Sequence, residues 1–290
     1  MMQPAFMTGR RHVLVALLVV GMILAGSVVV TLVTRNGGFR PAPALAEGAI
    51  LEVPGGSASS ISVVGDNLEI TVSTSSAVTS PSIVVGSEGF RQDFRAKAGT
   101  FGLRLGGLSA SQTGVRRLTV VVPENGTLTL TLVGEARLVM DQARLKELRL
   151  AGASSALELD ASESGSIVDL VQIENVTGGF STTHLGNLDM ADLVIGDITG
   201  TYDLDFSGSL NRHCDVSLHT AVGNGIVRIP SKPGAQLSVG SVLGNVLSSG
   251  FVAGTGKSFV NTAAAGGADR QLVVRIDSAI GQIQLVEVQQ

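Results

Sequence analysis

Residues 201–230, TYDLDFSGSLNRHCDVSLHTAVGNGIVRIP, are the stretch that decides the fold. The stretch opens with Tyr202, Leu204 and Phe206, which alternate with two aspartates and a serine. Alternation with a period of two is typical of a β-strand that is buried on one face. A glycine ends this strand, and a second alternating strand starts near Asp215 and ends at further glycines. The stretch therefore predicts short one-sided strands that are separated by glycine breaks.

The same unit recurs along the second half of the chain. Residues 127–132, TLTLTL, predict leucines facing in and threonines facing out. Further strand starts follow near Leu145, Ile167, Leu188, Val216, Leu237 and Leu272. Most of these starts lie about 20–25 residues apart, a period that indicates stacked units sharing one continuous core. We therefore expect an all-β fold, with a parallel β-solenoid over residues 118–290.

An antiparallel β-sandwich is the alternative architecture. Residues 123–126, PENG, lie between two predicted strands and resemble a hairpin loop. Residues 141–147, DQARLKE, have a helical composition but no cap, and we interpret them as a corner between strands. Residues 48–117 form a less regular β-rich part, with the following predicted strands: Ile50–Val53, Ile61–Val64, Leu68–Val72 and Ile83–Val85.

The N-terminal region has the composition of a membrane anchor. Residues 13–34 carry no charge, and a helix of that length spans about 33 Å, enough to cross a bilayer. We expect a short cytoplasmic N-terminus (residues 1–12), a single transmembrane helix (13–34) and a Gly/Pro/Ala linker (35–47), with the β domain outside the cell membrane. A cleaved secretory signal is the alternative, because Ala44-Leu45-Ala46 resembles a cleavage site. Charges flank both ends of the segment, so charge alone does not give the orientation.

Composition disfavours several classes of function. The net charge of -4 and the aromatic content of 3% argue against nucleic-acid binding, which needs basic faces and stacking platforms. The single cysteine, Cys214, cannot form an internal disulfide and is expected to face the core. Residues 253–258, AGTGKS, lack the spacing of a phosphate-binding loop and predict a glycine turn. No cofactor is expected.

Two groups of polar residues contain the residue types of catalytic sites. His213, Asp215, Ser217 and His219 include the members of a hydrolase triad, but neighbours two apart on a strand are about 6.6 Å apart. We therefore expect no hydrogen bonds between adjacent members, and a solvent-facing polar row. Metal binding is also not expected, because Cys214 points away from the histidines. The sequence predicts no catalytic, cofactor-binding or metal-ligating residue.

Asp203 and Asp205 support an alternative as an enzyme. Two carboxylates flanking one strand residue lie near the separation that inverting glycosidases use. A β-helix enzyme acting on an envelope polysaccharide is therefore the alternative function. Against it, exposed strand acids have no reason for a raised pKa, and the sequence indicates no cleft.

Four stretches resemble a bacterial envelope family: residues 201–208, 215–237, 240–251 and 273–288. The shared features are the Asp-Phe-Ser-Gly step at 205–208, the glycine-bounded strand before Ile229-Pro230 and the turn at Asp277–Gly281. The chain is similar here to toast-rack domains and to the C-terminal domain of LiaF-type cell-wall-active antibiotics response proteins, including adhesin-like membrane-anchored members. This resemblance implies a stacked β fold and a non-enzymatic role at the membrane. In LiaF-type members that role is regulation of an envelope-stress system, but they carry several membrane segments.

The expected function is therefore a non-enzymatic, membrane-anchored binding, sensing or scaffold module of the bacterial cell envelope. Its partner would be an envelope protein or a glycan. A self-assembling structural surface protein is a further alternative, since exposed strand edges would allow homo-oligomers.

Overall fold

The computed structural model describes residues 44–53, 58–92, 100–105, 114–152, 156–163 and 165–289. The predicted N-terminus (1–12), the predicted membrane helix (13–34) and most of the predicted linker (35–47) lie outside the described residues. In the described part of the chain, no helix combines the length and the apolar character needed to cross a bilayer. The end of the linker contacts the β domain, because the Leu45 N–H donates to the Phe90 carbonyl over 2.7 Å.

The fold is all-β, as the alternating pattern predicts. The described strands are β1 (Ile50–Glu52), β2 (Ala58–Val64), β3 (Leu68–Ser75), β4 (Ser82–Val85), β5 (Phe90–Gln92), β6 (Thr100–Leu105), β7 (Arg116–Pro123), β8 (Gly126–Val133), β9 (Glu135–Met140), β10 (Arg144–Ala151), β11 (Ala156–Asp160), β12 (Ile167–Glu174), β13 (Val176–Thr183), β14 (Asp189–Asp205), β15 (Cys214–Val222), β16 (Gly225–Pro230), β17 (Gly234–Leu243), β18 (Val246–Ser249), β19 (Val252–Ala253), β20 (Ser258–Val260), β21 (Arg270–Ile280) and β22 (Ile283–Val288). A 3-10 turn at Leu185–Asn187 and a short helix α1 (Thr262–Ala265) complete the described elements.

Most strands come in consecutive pairs, and each pair forms parallel ladders with the pairs on either side of it. The stacking order is β6–β7, β2–β3, β8–β9, β10–β11, β12–β13, β14, β15–β16, β21–β22 and β17–β18. The long strand β14 serves as a whole layer, since its first half pairs with β12 and β15 and its second half with β13 and β16. Antiparallel ladders among the described strands occur near the two ends of the stack, where β4 pairs with β1 and β7, β5 with β6, and β20 with β17 and β19.

The stacking order differs from the chain order at both ends. The layer β2–β3 lies between β6–β7 and β8–β9, although it precedes both in the chain. The C-terminal layer β21–β22 lies between β15–β16 and β17–β18, although it follows both. The last strands of the chain are therefore interior strands, with ladders on both edges.

A column of glycines forms the corner between the two strands of successive layers. Gly200 and Gly223 both have φ +135°, and a Cβ on Gly223 would lie 1.7 Å from the Gly200 carbonyl oxygen. A Cβ on Gly281 would likewise lie 2.0 Å from the Gly223 oxygen, and one on Gly244 1.9 Å from the Gly281 oxygen. Only glycine combines this backbone conformation with so close an approach. The glycine breaks in the sequence are thus the corners of the layers.

The core follows the predicted alternation. Tyr202, Leu204 and Phe206 are buried, and so is Cys214. The leucines of β8 are buried, while its threonines are partly exposed. Fully burying a leucine side chain stabilises the fold by about 2 kcal/mol, so the repeated inward row contributes most of the driving force.

Two local predictions were wrong in detail. The PENG segment is not a hairpin loop, because β7 pairs with β3 and β4, whereas β8 pairs with β2 and β10. The segment turns a corner instead, with Asn125 at φ +58°. The predicted corner at 141–147 is limited to Asp141–Ala143, where Gln142 has φ +48°, because β10 already begins at Arg144.

Candidate functional site

A groove of about 820 Å³ crosses the starts of the second strands. Its lining includes residues from seven layers, represented by β3, β9, β11, β13, β14, β16 and β22. At about 4.8 Å per layer, six steps give the groove a length of about 29 Å. The groove runs across the strands, so every layer adds its own side chains to it.

One outward column of side chains follows the groove from end to end. Register places these residues side by side in the order Glu69, Arg137, Glu158, Ser181, Asp203, Ile226 and Gln284. Each alternates along its strand with buried neighbours. A column of this kind repeats polar groups at the spacing of the layers, which suits an extended ligand.

Ion pairs connect the first part of the column. Glu69 contacts the Arg117 guanidinium at 3.0 Å and the Arg137 guanidinium at 3.6 Å, and Arg137 also lies 3.8 Å from Glu158. These side chains are a quarter to two-thirds exposed, so each pair contributes less than about 1 kcal/mol. Their main effect is to hold the side chains in one arrangement along the groove.

Asp160 is the buried acid of this cluster. Its side chain is 3% exposed and pairs with Arg137, and its Oδ1 accepts the Ser162 N–H at 2.8 Å and the Ser162 hydroxyl at 2.5 Å. Burial by itself would raise the pKa of Asp160, but the bonds from Ser162 and the Arg137 guanidinium together hold this pKa below its ordinary value. Asp160 is therefore charged in the folded protein at neutral pH.

We expect Asp160→Asn to destabilise the fold by about 2 kcal/mol at pH 7, because hydrogen bonds to a charged group are lost. Since the folded pKa is depressed, the stabilisation by Asp160 is present above its unfolded pKa of about 3.8 and disappears as the pH falls through the folded value. The variant should thus lose stability at pH 7, and this loss should be smaller at pH 2, below the unfolded pKa. Urea unfolding at both pH values measures this, and an equal loss at both would contradict the assignment.

Tyr202 forms part of the groove floor. Its ring lies against Gly225 of the next layer, where a Cβ would be 1.8 Å from the tyrosine Cζ. The side chain is buried, and its hydroxyl has no hydrogen-bond partner among the described residues. Burial raises the pKa of Tyr202 to about 12, so the hydroxyl keeps its proton. A buried hydroxyl without a partner is costly.

The two aspartates of the glycosidase alternative line different cavities. Asp203 lines the groove, and its Oδ2 accepts the Arg228 guanidinium at 2.6 Å. Burial, followed by the nearby Asp205, raises the pKa of Asp203 against the opposing effect of Arg228. Asp205 instead accepts the Ser207 N–H at 2.9 Å and lines a second cavity of about 580 Å³. The expectation of no cleft and no raised pKa was therefore wrong for Asp203.

The polar row on β15 makes one contact that sequence spacing argued against. The His213 Nε2 lies 3.0 Å from the Asp215 Oδ2, and the Asp215 Oδ1 accepts the Arg275 guanidinium at 2.9 Å. The expectation of no bond between neighbours was wrong here, because His213 precedes β15 and is not held in its regular geometry. Ser217 has no hydrogen bond to either histidine among the described residues, so no triad is assembled.

The remaining candidate residues are held by other contacts. The His219 Nδ1 lies 2.8 Å from the Asp277 Oδ2, and this contact joins the neighbouring strands β15 and β21. Burial, followed by neighbouring aspartates, raises the pKa of Cys214 to about 12, so this thiol keeps its proton at neutral pH. Within the described ranges, no three His, Cys, Asp or Glu residues are grouped to hold a metal ion. The AGTGKS segment connects β19 to β20 as an antiparallel hairpin.

Sequence reasoning did not identify the groove. Of its column, only Asp203 was singled out, because the other members come from distant parts of the chain. A signal existed in the alternating outward positions after each glycine break. This signal identifies the groove only when the order of the layers is known. That order does not follow the chain, because β2–β3 and β21–β22 are stacked out of sequence.

No family model matches the chain, and no curated protein matches it. Among solved structures, the chain is similar to a "putative cell adhesion protein" from Clostridium sporogenes, at 15% identity and a TM-score of 0.37, over 86% of this chain and 100% of that one.

Proposed function

We propose that the chain is a membrane-anchored, extracytoplasmic β-solenoid that binds a linear neutral glycan of the bacterial cell envelope and does not act as an enzyme. The observation that carries this proposal is the groove across seven layers, along which a column of mostly polar side chains repeats at the spacing of the layers. The stacked parallel ladders are the scaffold that presents it. The apolar segment 13–34 supplies the anchor, and the chain acts outside the membrane.

The groove suits a glycan better than a peptide. Extended peptides commonly bind by adding a strand to a free sheet edge. The central strands β13, β14 and β16 carry a ladder on both edges, so no backbone edge is offered there. Recognition must come from side chains, and the groove presents hydroxyl, carboxamide and carboxylate groups that match the hydroxyls of a sugar chain.

The charge of the groove selects among glycans. Four of the described acids line it, Glu69, Glu135, Glu158 and Asp203, whereas three arginines pair with them: Arg137 in the groove and Arg117 and Arg228 beside it. Like charges repel, so the groove disfavours uronic-acid and phosphate-bearing polymers. Neutral or amino-sugar chains are the class that fits.

The resemblance to toast-rack and LiaF-type domains adds a role to this proposal. A glycan-binding module on a single membrane segment would report the state of the envelope polymer to a membrane partner. The role is sensing or scaffolding within an envelope-stress response, without chemistry on the ligand.

We expect Tyr202→Phe to separate binding from stability. Removing a hydroxyl that has no partner should leave the free energy of unfolding unchanged or raise it by about 1 kcal/mol. It should leave glycan binding unchanged, because the buried hydroxyl presents no surface to a ligand in the groove. Calorimetric titration against a panel of neutral, amino-sugar and anionic oligosaccharides, with urea unfolding of each variant, measures both effects.

A variant with a bulky side chain in the groove provides the second test. Ser181→Trp places a large ring in the middle of the column and should abolish binding, whereas Thr177→Trp, on the same strand outside the groove, should not. The proposal would be contradicted if the wild type bound none of the oligosaccharides, or if both tryptophan variants bound them equally.

The raised pKa of Asp203 keeps a β-helix glycosidase as the second candidate, since a general acid needs that property. In this account Asp203 would protonate the leaving oxygen and Asp205 would activate water, although the two side chains line different cavities. Product analysis in the same titrations distinguishes the two. If the wild type cleaves a glycan, and Asp203→Asn and Asp205→Asn each abolish this turnover, the protein is an enzyme and not a binding module.

A further inference from the structure

The two ends of the stack differ in how far additional strands cover the edges of the last layer. At one end, β6 is covered by β5 and β7 by β4, both in antiparallel ladders. At the other end, β20 covers β17 only along Gln236–Ser238. The neighbouring strand β18 pairs only with β22 among the described strands. This end therefore presents an open strand edge at Val246–Ser249.

The open edge lacks the features that normally protect such edges. Residues 240–253, GSVLGNVLSSGFVA, contain no charged residue and no proline, the usual means of preventing edge-to-edge pairing. Large apolar side chains are exposed beside it, with Leu243 59%, Leu247 50% and Val252 52% exposed. An uncharged apolar edge of this kind is a template for another strand.

We infer that this edge pairs with the same edge of a second copy of the chain. Two β18 strands would run antiparallel about a twofold axis near Leu247, so that Leu247 meets the same residue of the second copy. A strand edge is complementary to its own antiparallel copy, and such a contact is isologous. The absence of charge means that self-pairing meets no like-charge repulsion, and no charge pattern favours a different partner.

The far end of the stack disfavours pairing with a third copy. There β4 and β5 cover β7 and β6, and the outermost strand β1 carries the charged Glu52, a feature that prevents edge-to-edge pairing. The structure thus points to a closed dimer and not to the open self-assembling layer considered from sequence. In such a dimer the two grooves would lie on either side of one shared axis.

Cysteine cross-linking of the full chain, purified in detergent, tests this inference. Leu247→Cys should form a disulfide-linked dimer under mild oxidation, because the axis brings the two cysteines together. The native Cys214 is buried and should not react. Ile50→Cys is the matched control, since Ile50 is 69% exposed but lies on β1, away from the edge, and it should stay monomeric on a non-reducing gel.

Light scattering gives the second readout. The wild type should have the mass of two copies, and Leu247→Lys should shift it to one copy at the same concentration, while Ile50→Lys should not. Both lysine variants replace exposed side chains and should melt like the wild type. A monomeric wild type, a dimer that survives Leu247→Lys, or cross-linking at position 50 equal to that at 247 would each overturn the inference. A single copy that instead binds another envelope protein through this edge would also do so.

Discussion

Gly223→Ala is expected to abolish folding of the β domain or to destabilise it by more than about 4 kcal/mol. The new Cβ would lie 1.7 Å from the carbonyl oxygen of Gly200, and the backbone at φ +135° is unsuited to alanine. The clash between the new Cβ and the Gly200 oxygen cannot relax locally, because the Gly200 backbone is itself packed against the next layer. Urea unfolding followed by circular dichroism measures the loss.

Gly256→Ala is the matched control for this prediction. Gly256 also has a positive φ, +70°, but nothing lies within 4 Å of its added Cβ. Its replacement should cost only the conformational strain, about 1 kcal/mol. Equal losses at the two positions would show that close stacking of the corners does not hold the layers together.

Deleting residues 270–290 should cause the second-largest effect. The deletion removes β21 and β22, which pair with β15 and β16 on one side and with β17 and β18 on the other. Two exposed edges would then replace a continuous ladder in the interior of the stack. We expect loss of the cooperative unfolding transition and aggregation, measured by thermal melting and light scattering.

A deletion of residues 44–53 provides the comparison. It removes β1, whose only strand partner among the described strands is β4. That variant should keep a cooperative transition at a lower temperature. If the C-terminal deletion were the milder of the two, the C-terminal strands would not be interior strands of the stack.

The local features of this fold could be predicted from the sequence, because each depends on neighbours along the chain. Alternation predicts Leu204 and Phe206 in the core, and the six recurring strand starts lie in or next to β10, β12, β14, β15, β17 and β21. Alternation alone does not state which strand lies beside which. For that reason the PENG segment resembles a hairpin loop in the sequence, although β7 and β8 have other partners.

The candidate site depends on long-range register and was therefore hidden. Glu69, Glu158 and Gln284 become neighbours of Asp203 in one groove only after seven layers have stacked. Their pairing required the exchange of the terminal strands, which no local pattern indicates. The pKa of Asp203 was misjudged for the same reason, since its burial arises from other layers.

The most direct test of the central claim is the length dependence of glycan binding. Calorimetric titration of the wild type with neutral oligosaccharides of increasing length should show affinity rising with each added sugar, then levelling off once the chain exceeds the groove length of about 29 Å. Ser181→Trp should remove this dependence. Affinity that is absent at every length, or that does not change from a single sugar to a long chain, would contradict a groove built from stacked layers as the binding site.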